Sequence, residues 1–157
     1  PYQGRDVYLN VYDLIRNNDL LYDIGLGILH SGVVVDGKEY SYGLGGGIVG
    51  SRPGNIVGAV FRESLFMGRT YLSPQQIRDV VHNLKASFTD SNYDMITHNC
   101  NDFSDAFCKI IVGKGIPPFI NRCASIASRF PALTSRVINL VNNPQAVESP
   151  QSHSSGK

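Results

Sequence analysis

Residues 6–14 (DVYLNVYDL) alternate apolar and polar side chains and are rich in Val and Tyr, which is the period of a half-buried β-strand. A polar stretch at Asn17-Asn18-Asp19 breaks the pattern. Residues 27–35 (GILHSGVVV) then form a β-branched apolar run that stops at Asp36-Gly37 and resumes over residues 38–42. An Asp-Gly pair between two such runs predicts a hairpin with a tight turn, and puts His30 in its first arm. Residues 43–58 hold seven glycines and Pro53, and read as a loop.

After Thr70 the period becomes helical. Ser73 is an N-cap residue placed before a proline, and Ile77, Val80, Val81, Leu84 and Phe88 follow at helical spacing, predicting a helix over 74–88. A second helix is expected to start near Asn101, to carry Phe103, Phe107, Ile110 and Ile111 on one face, and to stop at Gly113-Lys114-Gly115. Pro117-Pro118 opens a third helical stretch with Phe119, Ile120, Cys123 and Ile126, which Pro131 ends or kinks. Residues 142–157 are mostly Asn, Gln, Ser and Pro, the composition of a disordered tail. The expected organisation is one domain over 5–141 and a polar tail over 142–157.

Composition narrows the function classes. A chain of 157 residues with 42% hydrophobic content supports one domain with a real core. Fourteen basic against thirteen acidic residues leave a formal charge of +1, and no Lys/Arg run marks a nucleic-acid groove or a polybasic membrane patch. No run of eighteen apolar residues predicts a membrane span. The three cysteines, Cys100, Cys108 and Cys123, lack the CxxC spacing of a zinc site and the density of a disulfide scaffold. A reducing compartment fits them best, the cytoplasm or the nucleus. The chain begins at Pro1 rather than Met, which leaves a removed leader open.

The chemistry concentrates at Thr97-His98-Asn99-Cys100-Asn101-Asp102-Phe103. A free thiol with a pKa of about 8.5 is only a few per cent thiolate at neutral pH, so a cysteine nucleophile needs activation. The expected mouth of the second helix supplies unpaired N–H groups and the positive end of the dipole, and an imidazole supplies a base. The same N–H groups suit the oxyanion of a tetrahedral intermediate. An isolated cysteine is more often a buried packing residue. The polar residues His98, Asn99, Asn101 and Asp102 around Cys100 weaken that reading, whereas Cys108 and Cys123 lie inside helical apolar patterns that packing explains. Two histidines compete as the base: His30 in the hairpin, and His98, which in an extended segment points the same way as Cys100. His82 on the helix surface and His153 in the tail are weaker candidates.

A literal G-x-G-x-x-G occurs at Gly45, Gly47 and Gly50, but Ser51-Arg52-Pro53-Gly54-Asn55 follows it where a dinucleotide fingerprint requires a helix. No cofactor is therefore expected, and the segment reads as a mobile flap or a wall of a cleft.

Five segments in order, Asn10-Val11-Tyr12-Asp13, Gly25-Leu26-Gly27-Ile28-Leu29-His30-Ser31-Gly32, Glu39-Tyr40-Ser41-Tyr42-Gly43, His98-Asn99-Cys100-Asn101-Asp102-Phe103, and residues 113–122 (GKGIPPFINR), together resemble the PPPDE family of DeSI-type isopeptidases. The resemblance runs over most of residues 6–126. It implies an α+β, circularly permuted papain-like cysteine protease fold, with a small antiparallel sheet or barrel packed against helices. It also implies a dyad in which His30 matches the family's base and Cys100 its nucleophile, which raises His30 above His98. No third catalytic residue is carried over. Asn99 and Asn101 remain candidate oxyanion or orienting groups. The implied activity is hydrolysis of the bond between a ubiquitin-like modifier, SUMO or ubiquitin, and a substrate lysine. Family members are also implied to form homodimers, though nothing in the sequence fixes an oligomeric state. The alternatives are a thioesterase using the same dyad on S-acylated proteins, and a non-catalytic binding module.

Overall fold

The computed structural model describes residues 3–15 and 18–143. The alternating run at the start forms β1, Arg5–Asp13, and its residues Val7, Leu9 and Val11 are fully buried. The second run gives β2, Leu29–Val35, and β3, Lys38–Gly43, joined at Asp36 and Gly37 with φ of 54° and 71°, the paired positive values that a tight hairpin turn requires. With β4, Gly47–Ser51, and β5, Val60–Thr70, they make one sheet in the order β4-β3-β2-β1-β5, with every neighbouring pair antiparallel.

Because side chains alternate along a strand, β2 presents two different faces. Leu29, Val33 and Val35 join the core with Phe103, Phe107 and Ile111 of a helix, α3, Cys100–Val112. His30 and Gly32 face the other way. Phe103 and Phe107 are fully buried, each worth about 1.5–3 kcal/mol relative to an exposed ring. The helix ends at Gly113 in the left-handed region, φ 78°, a conformation that glycine adopts without a Cβ penalty.

Several elements depart from the sequence reading. The glycine-rich loop expected over 43–58 contains β4, because Ile48 and Val49 are β-branched and pair with Tyr42 and Ser41 in a hairpin that runs from Gly43↔Gly47 to Glu39↔Ser51. Residues 60–70 carried no expected element, yet they form the longest strand. Its exposed Val60, Phe61 and Phe66 hide the alternation that would reveal it. The polar stretch after β1 leads into a single-turn helix, α1, Asp19–Asp23. The helix expected over 74–88 is α2, Pro74–Leu84, and Phe88 is buried from the turn that follows. The third helical stretch splits into a 3-10 turn, Pro118–Asn121, and α4, Arg122–Ala127. Pro131 ends nothing: it takes the first position of a further helix, α5, Pro131–Asn142, where its missing N–H costs no hydrogen bond. The expected tail overlaps this helix at Asn142, and residues 144–157, with His153, lie outside the described residues.

No helix among the described residues is long and apolar enough to cross a membrane. They also hold no group of three or more His, Cys, Asp or Glu side chains arranged to bind a metal.

Candidate active site

The chain reaches Cys100 through a turn built on Asp94. The Asp94 carboxylate accepts from the backbone N–H groups of Ile96 (2.9 Å) and Thr97 (2.8 Å), and Asp94 and His98 exchange backbone hydrogen bonds of 2.9 and 3.0 Å. Asn99 then stays extended as the N-cap of α3. Its side-chain oxygen accepts from Asn101 N (2.9 Å) and Asp102 N (3.1 Å), and the Asp102 carboxylate accepts from Asn99 N (2.8 Å). This reciprocal cap satisfies the orphan donors at the helix start and leaves Cys100 as the first residue of α3.

His30 arrives on β2, and Asn101 ties that strand to the helix. Asn101 Nδ2 donates to Leu29 O (3.0 Å) and Ile120 O (3.3 Å), while its Oδ1 accepts from the Ser31 hydroxyl (2.7 Å). The residues on both sides of His30 are thus clamped to the turn that carries Cys100. The Ser31 hydroxyl also lies 2.9 Å from that of Ser104, and Asn121 on the 3-10 turn donates to Asp102 Oδ1 (3.0 Å) and accepts from Asn99 Nδ2 (3.1 Å).

The electrostatics of the two side chains are mutual. Burial pushes the Cys100 thiol up, but the charge and hydrogen bond of His30, the Ser31 backbone N–H and the Tyr93 hydroxyl outweigh it and hold the thiol below its ordinary value. Burial likewise pushes the His30 imidazole down, and the charge and hydrogen bond of Cys100, with the charge of Glu39, raise it above its ordinary value. Both groups sit where desolvation disfavours charge, and each overcomes it through the other. Each side chain thus shifts the other toward its charged form. Burial, followed by the charge and hydrogen bond of Cys100, holds the Tyr93 phenol well above the usual range, so Tyr93 stays a proton donor at neutral pH. The other thiols show what burial does without such partners. Burial and the Asp105 charge push Cys108 up to about 12, and burial alone raises Cys123.

The sequence candidates separate clearly. His30 and Cys100 lie together. His98 does not turn toward the thiol: its Nε2 lies 2.8 Å from Ser87 O and its ring stacks on Phe88 with centroids 4.5 Å apart, because the Asp94 turn rotates the segment out of the extended form that would align it with Cys100. The amide of Asn99 is consumed by the cap and by Met95 O (3.0 Å), and that of Asn101 by the clamp, so neither offers a free N–H for an oxyanion. His82 lies exposed on α2. Sequence reasoning missed Tyr93, Ser31 and Glu39. Tyr93 stands in a turn with no periodicity, whereas the acidic Glu39 among the aromatic residues of β3 was a legible signal.

The domain described as the PPPDE putative peptidase domain matches residues 5–140 of this chain. The chain belongs to the PPPDE peptidase family. It is 39% identical over 126 residues to a DeSI-like protein of Arabidopsis thaliana, covering 78% of this chain and 56% of the relative. It is 38% identical over 135 residues to the desumoylating isopeptidase 1 homolog of Caenorhabditis elegans, covering 81% and 40%. With a DeSI-like protein of Schizosaccharomyces pombe it shares 33% identity over 141 residues, covering 84% and 70%. The chain thus spans about half the length of the first two relatives.

In this PPPDE domain the Cys100–His30 pair lies between two recesses. On the helix side a small pocket of about 40 Å³ is lined by Cys100, Tyr93, Ile28, Cys123 and Val137. An apolar cavity of about 210 Å³, lined by Leu21, Leu26, Ile126, Leu133 and Leu140, shares Ile28, Cys123 and Val137 with it. On the sheet side a cleft of about 390 Å³ borders His30, Ser41, Leu44, Val49 and Val57. The glycine-rich segment read as a cleft wall forms its rim.

Proposed function

We propose that the chain is the catalytic domain of a cysteine isopeptidase that cleaves the bond between a ubiquitin-like modifier and a substrate lysine, with SUMO favoured over ubiquitin. The carrying observation is geometric: Asn101 clamps Leu29 and Ser31, the residues on either side of His30, to the first turn of α3 that begins at Cys100, and in that placement each side chain favours the charged form of the other. SUMO is favoured because relatives carry the name desumoylating isopeptidase 1. In the first half-reaction the Cys100 thiolate attacks the isopeptide carbonyl carbon, and the Tyr93 hydroxyl, one of the donors acting on the sulfur, is the candidate donor to the developing oxyanion. As the tetrahedral intermediate collapses, the C–N bond breaks and His30 gives its proton to the departing lysine amine. In the second, His30 takes a proton from water, the water oxygen attacks the thioester carbonyl, and the C–S bond breaks to return the thiolate. The proton on His30 restores the starting pair.

The test is cleavage of a SUMO–lysine conjugate and a ubiquitin–lysine conjugate by the wild type, Cys100→Ala and His30→Gln. Wild type should release free SUMO and both variants should not. Undiminished cleavage by Cys100→Ala would overturn the proposal.

A thioesterase reading has its own support in the apolar cavity that shares three side chains with the Cys100 pocket, since a fatty acyl chain needs a dry trough beside the nucleophile. Bulky substitution at Leu133 should lower turnover of a long-chain acyl thioester and spare a SUMO conjugate. Equal effects on both substrates would reject it.

A further inference from the structure

Glu39 is the most deeply buried carboxylate on the sheet, with no exposed surface. Among the described residues no cation pairs with it. Three neutral donors do: Asn10 Nδ2 (2.9 Å), Gly54 N (2.9 Å) and the Tyr12 hydroxyl, 2.8 Å from each carboxylate oxygen. A carboxyl group surrounded only by donors acts as an acceptor-only carboxylate. A buried charge without a counter-charge is costly, so its retention calls for a group that uses it.

The registers point to His30. Tyr12 pairs with His30 and Asn10 with Gly32 across β1 and β2, and Glu39 pairs with Val34 across β2 and β3. Residues 30, 32 and 34 share a face, so Glu39, its two side-chain donors and His30 occupy the same face of three adjacent strands. Gly32 leaves the space between them open: a Cβ there would lie 2.2 Å from Glu39 Oε1 and 2.8 Å from its carboxyl carbon. The Tyr12 ring connects the two groups, with its hydroxyl on Glu39 and its centroid 5.8 Å from that of His30. His30 Nε2 is buried with no hydrogen-bond partner among the described residues. The charged groups acting on the ring are Cys100 from α3 and Glu39 from β3, while Tyr12 from β1 faces it as a neutral phenol.

We infer that Glu39, held by Asn10, Tyr12 and Gly54 over the side-chain-free Gly32, is a positioning residue whose negative charge stabilises the His30 imidazolium and so keeps Cys100 a thiolate. It acts through His30 and touches neither substrate nor sulfur. The inference rests on the His30–Cys100 dyad of the proposed reaction, and it assigns the third group that the dyad itself does not name. The imidazolium carries the proton that later reaches the lysine amine, so loss of the Glu39 charge moves that proton back toward the sulfur and refills the unreactive thiol form.

The experiment is the pH dependence of Cys100 alkylation by iodoacetamide, read by mass spectrometry on the full chain, for wild type, Glu39→Gln, Tyr12→Phe and His30→Gln, with circular dichroism as the check of folding. In Glu39→Gln the rate near pH 6.5 should fall about tenfold and approach the wild-type rate at alkaline pH, where the thiolate forms without the imidazolium. A merely structural role would lower the rate equally at every pH. Tyr12→Phe, which keeps the charge and loosens it, should move the curve the same way by about threefold. A folded Glu39→Gln whose curve superimposes on wild type overturns the inference. If Glu39→Gln does not fold, an unmoved Tyr12→Phe curve overturns it instead. His30→Gln separates this failure from that of the dyad: an unmoved His30→Gln curve rejects the dyad, whereas a moved one beside an unmoved Glu39→Gln curve rejects Glu39 alone.

Discussion

Cys100 and Cys108 lie on the same helix, two turns apart, and both are buried, at 3% and 0% exposure. Burial therefore cannot distinguish them, yet the thiol of Cys100 is held below its ordinary value and that of Cys108 is pushed up to about 12. The difference lies in what surrounds each sulfur. Cys108 sits mid-helix in the apolar core, where every backbone N–H is consumed by the helix and the nearest acid, Asp105, opposes a thiolate. At the first turn, the His30 imidazole, the Ser31 backbone N–H and the Tyr93 hydroxyl favour the charged form of Cys100. A thiol is poised to ionise when its donors outweigh desolvation, and the two thiols of this helix are shifted in opposite directions.

The broadest break between the two positions is substitution to alanine. Cys100→Ala should lower conjugate cleavage by more than about 10³-fold, the scale of losing a catalytic nucleophile, at a stability cost no greater than that of Cys108→Ala. Cys108→Ala should instead cost about 1–2 kcal/mol of stability through the cavity it leaves with cleavage retained. Cleavage assays beside thermal denaturation read both, and retained cleavage in the first variant or abolished cleavage in a folded second would remove the contrast.

Tyr93→Phe sharpens the account of the first turn. It deletes the hydroxyl that helps to lower the Cys100 thiol, while leaving the ring packed against Tyr42 at 5.0 Å. Removal of one donor to an oxyanion costs about 10²-fold in kcat, so a loss of that size with KM little changed is expected in steady-state kinetics. A change confined to KM would make Tyr93 a substrate-binding residue instead.

The parts of this site that were legible in the sequence are those set by short-range chemistry. The Ser73-Pro74 start, the Asp36-Gly37 turn and the polar flanks of Cys100 each carry their meaning within a few residues, and the structure forms α2, the β2–β3 hairpin and the α3 start where they stand. Harder to read were features created by pairing across the sheet. Gly32 looks like an ordinary strand glycine until Glu39 is laid over it, and Asn101 looks like an oxyanion donor until both its amide atoms are seen bound to the strand that carries His30. β5 was hidden for the same reason: as an edge strand with exposed Val60 and Phe66, it lacks the one-sided burial that gives a strand its period. Pro131 shows a simpler ambiguity, since a proline reads equally as the end of one helix or the first residue of the next.

Asn101→Ala tests whether the clamp is what unites helix and strand. The change strands the Leu29 carbonyl and leaves the Ser31 hydroxyl only its contact with Ser104, and a buried polar group left unpaired costs about 1–3 kcal/mol. Urea denaturation should show a loss in that range, and cleavage by the folded fraction should fall as well because His30 lies between the two released residues. A stability loss with full activity in the folded fraction would mean that β2 holds His30 in place without the helix.

The smallest effect belongs to the other capped helix, and it isolates capping from chemistry. Helices α2 and α3 both open on a reciprocal cap: Gln76 N donates to Ser73 Oγ (3.1 Å) and Ser73 N to the Gln76 side chain (2.7 Å), as Asn99 and Asp102 do at α3. The α2 cap is solvated and lies on a different helix from Cys100. Ser73→Ala should therefore cost about 1 kcal/mol, the ordinary value of an N-cap, and leave conjugate cleavage and the Cys100 alkylation curve unchanged. Asn99→Ala removes the equivalent atom where the capped N–H groups adjoin a nucleophile, so beyond its stability cost it should raise the pH at which Cys100 is alkylated. Equal behaviour of the two variants would show that the α3 start contributes order alone, and that the reactivity of Cys100 comes from His30, the Ser31 backbone N–H and Tyr93.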